Sequence, residues 1–299
     1  MSNNIAKPFL KWAGGKTQLI DEIKNNLPVN LNNNSFTFIE PFVGSGAVFF
    51  WMMNKFPNIE KAVINDINTD LTDCYISIKD DLEDLIKILS KYQAEYHPIF
   101  NDKEKAKEYY YEKRTLFNTR KSSRTVQSAL FIFLNKTCFN GLYRVNSKNQ
   151  YNVPIGRSKS LPNICNESNL KAVSEVLQRT IILNGDYAET LEHTDDNTLF
   201  YFDPPYKPLS ETSSFNSYAK DVFNDKQQIR LKEFCETLNN LGHQWILSNS
   251  DMKNINPDDN FFDDLYEQFN IFRVNARRSI NSKGNKRGKL TELLITNLS

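Results

Sequence analysis

Short, nearly unbroken apolar runs recur along the 299 residues and are separated by stretches of helical periodicity. The clearest run is Leu199-Phe200-Tyr201-Phe202. A strand with one face in water alternates polar and apolar residues, so a continuous run of this length needs cover on both faces. Strands are expected near Phe36–Glu40, Ala62–Asn65, Thr180–Asn184, Thr198–Phe202, Gln244–Ser248, Phe269–Asn275 and Leu290–Thr296. Helices are expected at Gly15–Asn26, Ala47–Lys55, Thr69–Lys91, Lys103–Arg120, Arg124–Asn135, Ser168–Gln178 and Asp225–Asn240. The pattern predicts a doubly wound α/β sheet of about seven strands.

One stretch breaks the rhythm. From Thr69 to Gln178 no strand signal appears, only helical patterns and then a polar, Asn-rich loop over Asn135–Asn169. This is too long for a crossover connection. It predicts an inserted, mostly helical subdomain over 69–178, with 1–68 and 179–299 forming the main domain. No internal repeat is visible.

Charge sharpens the division. The formal net charge is only +1, from 37 Lys and Arg against 36 Asp and Glu. Yet Lys113–Lys159 holds ten basic residues and no acid, and Arg273–Lys289 holds seven more with none. Two acid-free basic tracts in an otherwise acidic chain point to a surface for a polyanion. The four cysteines (Cys74, Cys138, Cys165, Cys235) form no CxxC pair and have no nearby histidine, so neither a disulfide framework nor a metal site is expected. A reducing cytoplasm fits, and no membrane-length apolar run or signal peptide is present.

The chemistry gathers at strand ends. Phe36–Glu40 runs into Pro41-Phe42-Val43-Gly44-Ser45-Gly46-Ala47 and then a helix, and the next strand ends at Asn65-Asp66. Glycines at a strand-to-helix turn admit close approach of a ligand, and an acid about 20 residues on suits ribose hydroxyls. Phe49 stands where a dinucleotide fingerprint needs its third glycine, so an adenosine-containing ligand other than NAD is favoured. Gly14-Gly15-Lys16-Thr17 imitates a phosphate-binding loop, but Leu10 stands where that loop needs glycine. After Thr198–Phe202 comes Asp203-Pro204-Pro205-Tyr206. The prolines stiffen the backbone and remove N–H donors, so a carboxylate and a carbonyl can together accept from an exocyclic amino group. Tyr206 offers a flat face for a base. Such a site works by positioning and electrostatics, without a metal or covalent intermediate.

The ordered set Lys11-Trp12-Ala13-Gly14-Gly15-Lys16, Pro41–Gly46, Asn65-Asp66, Gly185-Asp186-Tyr187 and Asp203–Tyr206 resembles the Dam-type DNA adenine-N6 methyltransferases, the GATC-directed members of the alpha group. The resemblance runs from about Lys7 to Leu294, and Ser45 departs from it where a third glycine is common. It implies a Rossmann-like sheet with S-adenosylmethionine as the cofactor. Trp12, Ala13, Lys16, Phe42 and Gly44 would line the cofactor pocket, Asp66 would hold the ribose, and Asp186 and Tyr187 the cofactor adenine. Asp203, Pro204, Pro205 and Tyr206 would carry catalysis.

The same resemblance makes the insert a target-recognition subdomain for double-stranded DNA. Asn135–Arg144, leading to Tyr151–Arg157, is similar to the family's base-reading hairpin. It implies Arg144 as a guanine reader with Lys11 assisting, and contacts to the duplex from Asn140 and Arg157. Phe139 is either a wedge filling the space of a flipped-out adenine or a core residue. Arg277 and Arg278, in the second basic tract, would grip the DNA backbone, and loop 208–220 would order over the flipped base. A monomer in the bacterial cytoplasm or nucleoid is expected, with a restriction endonuclease acting on the same site as a partner without stable complex. Two other readings stay open: methylation of RNA or a protein amide, and a non-catalytic DNA-binding protein that has kept the cofactor pocket.

Overall fold

Apolar strands form where expected, and the computed structural model describes residues 5–12, 14, 16, 19–29, 31–207, 223–276 and 290–298. The strands are β1 (Phe36–Glu40), β2 (Ile59–Asn65), β3 (Thr180–Leu183), β4 (Thr198–Phe202), β5 (Gln244–Ser250), β6 (Asn270–Ala276) and β7 (Leu290–Thr296). Every residue of β1 and β4 is buried, as continuous apolar runs require. The seven strands form one mixed sheet in the order β3-β2-β1-β4-β5-β7-β6. β1 runs parallel to β2 and β4, β4 runs parallel to β5, and β7 lies antiparallel between β5 and β6. The connections leave β1 and β4 in opposite directions, so the topological switch point falls between these neighbours. Open α/β sheets take their ligands outside the carboxyl ends of strands at such a point.

The helices among the described residues are α1 (Ile20–Asn25), α2 (Ala47–Lys55), α3 (Thr69–Asp80), α4 (Leu82–Tyr96), α5 (Lys103–Asn118), α6 (Arg124–Thr137), α7 (Glu167–Leu177), α8 (Asp225–Asn240) and α9 (Phe261–Leu265). Asn68, Asp102, Asn166 and Asn224 cap α3, α5, α7 and α8, each side chain accepting from a backbone N–H of the first turn. The single helix expected over Thr69–Lys91 is broken at Asp81. There the backbone leaves helical geometry (φ −125°, ψ 33°), and the carboxylate accepts from the Thr125 hydroxyl at 3.1 Å. Asp competes with helical backbone in this way, so a side-chain contact from α6 decides the break.

Packing divides the chain into two units. One comprises Met1–Gly15, Val43–Lys55 and Asn65–Gly185, and the other Lys16–Phe42, Phe56–Ile64 and Asp186–Ser299. The expected insert, 69–178, falls wholly inside the first. That unit is built on α6, buried continuously from Gln127 to Asn135 and packed by α3, α4 and α5. Phe133 meets the rings of Tyr92, Tyr96 and Tyr109 edge-on at 5.4–5.9 Å. Each such buried ring contributes about 1.5–3 kcal/mol from removal of apolar surface. Beyond α6 the chain is irregular but tied down. Antiparallel bridges join Cys138 to Ile155 and Val145 to Tyr151. The Asn118 side chain binds both the N–H and the C=O of Tyr151.

The second unit carries β1, β2 up to Ile64, β4, β5, β6 and β7 with α1, α8 and α9. No helix among the described residues is long and apolar enough to cross a membrane. The four cysteines are free thiols.

Candidate active site and nucleic-acid interface

In the second unit the end of β4 carries a charged cluster. Asp203 Oδ1 pairs with Lys16 Nζ at 3.2 Å and accepts from the Ser248 hydroxyl on β5 at 3.1 Å. Burial pushes the Asp203 carboxyl up to about 6 against the pull of Lys16 and the Ser248 hydrogen bond, while the charge of Glu292 adds to the rise. Lys16 is itself only 7 % exposed, so this cation depends on the carboxylates around it. Its Nζ lies 3.8 Å from Glu292 Oε2 on β7 and 3.9 Å from the centre of the Tyr206 ring. Tyr206 donates its hydroxyl to Glu292 at 2.7 Å. Pro204 is buried, and the Pro205 carbonyl accepts from Gln228 of α8 at 3.2 Å. Gln228 is in turn held by Asn249 at 3.0 Å. The tetrapeptide is thus braced by α8, β5 and β7 and presents one acidic group at the carboxyl end of a parallel strand.

The other candidates of this unit are Phe42, Asp186 and Tyr187. The Phe42 ring lies 5.2 Å from Tyr187 and 5.7 Å from Phe223. Asp186 begins a short 3-10 turn, with a reciprocal cap between its side chain and Glu189. Arg230 binds its carboxylate through two nitrogens at 2.7 and 2.8 Å and holds it below the usual carboxylate range. The Tyr187 hydroxyl is buried with no hydrogen-bond partner among the described residues, and burial pushes it up to about 12. A buried hydroxyl without a partner is costly and marks a place where a ligand atom or water completes the structure.

The first unit holds Trp12, Gly44 and Asp66, while Ala13 lies outside the described residues. The Trp12 indole stacks on Tyr143 at 5.5 Å and borders Gly44. A Cβ on Gly44 would sit 3.0 Å from that ring, and the positive φ of 50° also demands glycine. The Gly44 carbonyl accepts from the Tyr75 hydroxyl at 2.9 Å, and its N–H donates to Asp66 at 3.1 Å. Asp66 accepts from Asn68 N–H as well, yet burial wins and raises its carboxyl. The next residue, Ile67, is 74 % exposed, an apolar side chain left on the surface beside that carboxylate.

This unit also carries the expected recognition segment. Phe139 is 45 % exposed and therefore not a core residue. Asn140 beside it adopts φ 56°, a left-handed conformation Asn tolerates, and it too is exposed. Arg144 is exposed, with Nε donating to Asn152 Oδ1 at 2.6 Å, so one donor of its fork is already fixed across the strand pair. Lys11 joins this group. Its backbone N–H and C=O both bond to the side chain of Asn135 at 2.9 Å, and the same Asn135 amide donates to Gly141 C=O at 2.9 Å. The Lys11 stem lies so close to Gly141 that a Cβ there would stand 2.5 Å away.

The first basic tract divides. Arg120 pairs with Asp70, Arg124 with Asp73 at 3.5 Å, and Arg114 donates to Val153 C=O at 3.2 Å. These hold the unit together. Arg144, Lys148, Arg157 and Lys159 face solvent. A cleft of about 490 Å³ is lined by Lys103, Lys107, Lys136, Arg157 and Lys159 against a single acid, Glu104. Burial, and then the charge of Lys11, lower the Lys136 ammonium from its ordinary range. In the second tract Arg273 is committed to Asp263 at 2.7 Å and Asp251 at 3.2 Å. Arg277, Arg278 and loop 208–220 lie outside the described residues. Among the described residues no group of three or more His, Cys, Asp or Glu could hold a metal ion.

A family model for D12 class N6 adenine-specific DNA methyltransferases matches residues 12–280. The chain belongs to this family. It is 50 % identical over 295 residues to type II methyltransferase M.MjaIII of Methanocaldococcus jannaschii, covering 97 % of this chain and 99 % of that protein. It is 38 % identical over 296 residues to type II methyltransferase M1.LlaDCHI of Lactococcus lactis subsp. cremoris, covering 97 % and 95 %. A DNA adenine methylase of Haemophilus influenzae is 36 % identical over 290 residues, covering 96 % and 92 %.

Four further residues contact the expected site residues. Glu292, Ser248 and Gln228 surround the tetrapeptide, and Asn135 joins Lys11 to the recognition segment. Two left a signal. Glu292 is the only charge in the strand Leu290–Thr296, and Asn135 is a polar residue continuing the apolar run Ala129–Leu134. A polar side chain in such a setting needs partners, and here they are Tyr206 and Lys16 for Glu292, and Lys11 and Gly141 for Asn135.

Proposed function

We propose that this chain transfers a methyl group from S-adenosylmethionine to N6 of an adenine flipped out of double-stranded DNA, within GATC. We further propose that it is the modification member of a restriction-modification system, working as a monomer in the cytoplasm on the DNA that a separate endonuclease cleaves. The names of two relatives, both type II methyltransferases, support the second statement. The observation that carries the first is Asp203, a largely buried carboxylate at the end of β4, ionised at neutral pH yet raised to about 6.

The residues present fit the cofactor. Gly44 leaves room that a Cβ would fill, Asp66 offers a carboxylate acceptor for ribose hydroxyls, and Ile67 and Phe42 offer apolar surface for an adenine. Trp12, Ala13, Lys16, Asp186 and Tyr187 complete the set we assign to it, the Tyr187 hydroxyl being one of the buried polar groups with no hydrogen-bond partner among the described residues. When bound, the cofactor supplies an electrophilic methyl on a sulfonium. Asp203 and the Pro204 carbonyl accept the two N6 hydrogens of the target, since the Pro205 carbonyl is already bonded to Gln228. Drawing on those hydrogens localises the nitrogen lone pair for attack. On receiving that methyl, whose bonding pair to sulfur would stay with the departing thioether, N6 of the target would become cationic. It sheds one proton to Asp203, whose elevated carboxyl is basic enough to take it at neutral pH.

Recognition falls to the first unit. Arg144 reads a guanine, Lys11 and Asn140 assist, and Phe139 fills the gap left by the flipped base. Arg157 and the lysines of the basic cleft meet phosphates, as do Arg277 and Arg278. Labelled methyl transfer to unmethylated duplex DNA, RNA and protein extract, assayed in parallel, tests the reading. Transfer to duplex DNA alone, lost in Asp203→Ala, is expected; transfer only to RNA or protein overturns it. Mapping modified adenines in DNA from a methylation-deficient host expressing the chain tests GATC.

A further inference from the structure

We propose that Glu292 is a positioning residue for methyl transfer, the second carboxylate that receives the Lys16 ammonium when Asp203 takes the amino group of the target base. The inference rests on the catalytic reading above. Among the described residues, both hydrogen-bonding partners of Asp203 fall on the same oxygen, Oδ1: Lys16 at 3.2 Å and Ser248 at 3.1 Å. A carboxylate neutralised by an ammonium pulls weakly on the hydrogens of an amine, so Lys16 competes with the substrate for the group that must polarise it. Lys16 is 7 % exposed, so an ammonium released by Asp203 is best stabilised by another carboxylate close by.

Glu292 is that partner. Its Oε2 stands 3.8 Å from Lys16 Nζ, and the same oxygen accepts from the Tyr206 hydroxyl at 2.7 Å. The Tyr206 ring face, 3.9 Å from Nζ, lies along the path and favours a cation there. Lys16 therefore shifts from one carboxylate toward the other while staying paired. Glu292 is anchored for this role, being placed on β7 by antiparallel pairing opposite Ser250 of β5 and Val274 of β6. With Lys16 counted, the two carboxylates leave one net negative charge, matched to the positive charge that develops on N6 during transfer.

The groups that face Asp203 among the described residues are Lys16, Ser248 from β5, Glu292 from β7, Tyr206 from its own loop and Tyr201 from β4, the last also near Glu40 of β1. Lys16 and Ser248 favour its ionised form, while Glu292 disfavours it. Removing the Glu292 charge therefore lowers the Asp203 carboxyl and tightens its hold on Lys16.

Glu292→Gln keeps the volume and the acceptor for Tyr206 but removes the charge, and Glu292→Asp keeps the charge. The assay is steady-state methyl transfer to an unmethylated duplex from pH 5 to 9, with thermal unfolding measured on each variant. Wild-type transfer to duplex DNA is the entry condition, and its absence overturns the catalytic reading itself. With wild type active, Glu292→Gln is expected to lose about tenfold or more in kcat, with KM for DNA and cofactor changed less than about threefold. The acid limb of its kcat profile moves to lower pH, whereas Glu292→Asp keeps the wild-type limb and recovers part of kcat. A wild-type kcat in Glu292→Gln, or the same pH limb in both variants, overturns the role assigned to Glu292.

Discussion

Asp203→Asn separates the chemical value of the carboxylate from its thermodynamic burden. The Asp203 side chain is 20 % exposed and burial raises its carboxyl to about 6, against an ordinary value of 3.8. A folded-state value above the unfolded one means the native protein binds the proton more tightly, so stability from this group is full below about pH 4 and falls as pH rises toward 6. At 1.36 kcal/mol per unit, the ionised group costs about 3 kcal/mol at neutral pH and above. Asn imitates the protonated carboxyl and carries no such burden. The variant should match wild type near pH 4 and exceed it by about 3 kcal/mol from pH 7 upward, while methyl transfer falls by about a hundredfold or more. Urea denaturation of both proteins at pH 4, 5, 6 and 8, with labelled methyl transfer at pH 8, measures the two effects. Parallel stability curves, or a variant that is destabilised above pH 6, would refute the reasoning, because the burden would then not lie on an ionised Asp203.

Other perturbations probe the remaining parts. Arg144→Ala should lose about 1–3 kcal/mol of discrimination at a single guanine in competition between substrate duplexes; a uniform loss across sequences would mark a phosphate contact instead. Asp66→Ala should weaken cofactor binding by calorimetry more than it lowers turnover at saturating cofactor, and unchanged affinity with lost turnover contradicts a ribose role. Asn135→Ala leaves the N–H and C=O of Lys11 and the C=O of Gly141 short of their partner, a loss of about 1–3 kcal/mol for each one left buried and unpaired. Its melting temperature should drop and its preference among sites differing by one base should relax, whereas a drop in melting temperature alone would make Asn135 purely structural.

Much of this protein is legible without coordinates. Sheet strands such as β1 and β4 appear as continuous apolar runs, because burial on both faces leaves no room for polar alternation. The candidate site residues stand out because Gly, Pro and acids cluster directly after those runs, at the strand ends where open α/β sheets take their ligands. Family membership follows from their order. Less was visible where a decision depends on a neighbour distant in sequence. At the break, Asp81 accepts from Thr125, and Arg114, Arg120 and Arg124 are committed to Val153, Asp70 and Asp73 within the protein. Charge counting credited all ten basic residues of the first tract to a polyanion, but an arginine's sign says nothing about which acid it meets.

The active cluster shows the same boundary. Local sequence by itself determined that Asp203-Pro204-Pro205-Tyr206 ends a buried strand as a stiff, acidic turn, since proline geometry and strand burial are properties of a few adjacent residues. Only the tertiary structure decided what that acid feels. Lys16 lies 187 positions earlier and Glu292, on β7, lies 89 positions later, and the tertiary fold brings both into contact with the segment that ends β4. Electrostatic energy depends on distance through space and on how much water is excluded. Neither quantity is carried by spacing along the chain, so the charge state of Asp203 is defined only once the tertiary structure has formed.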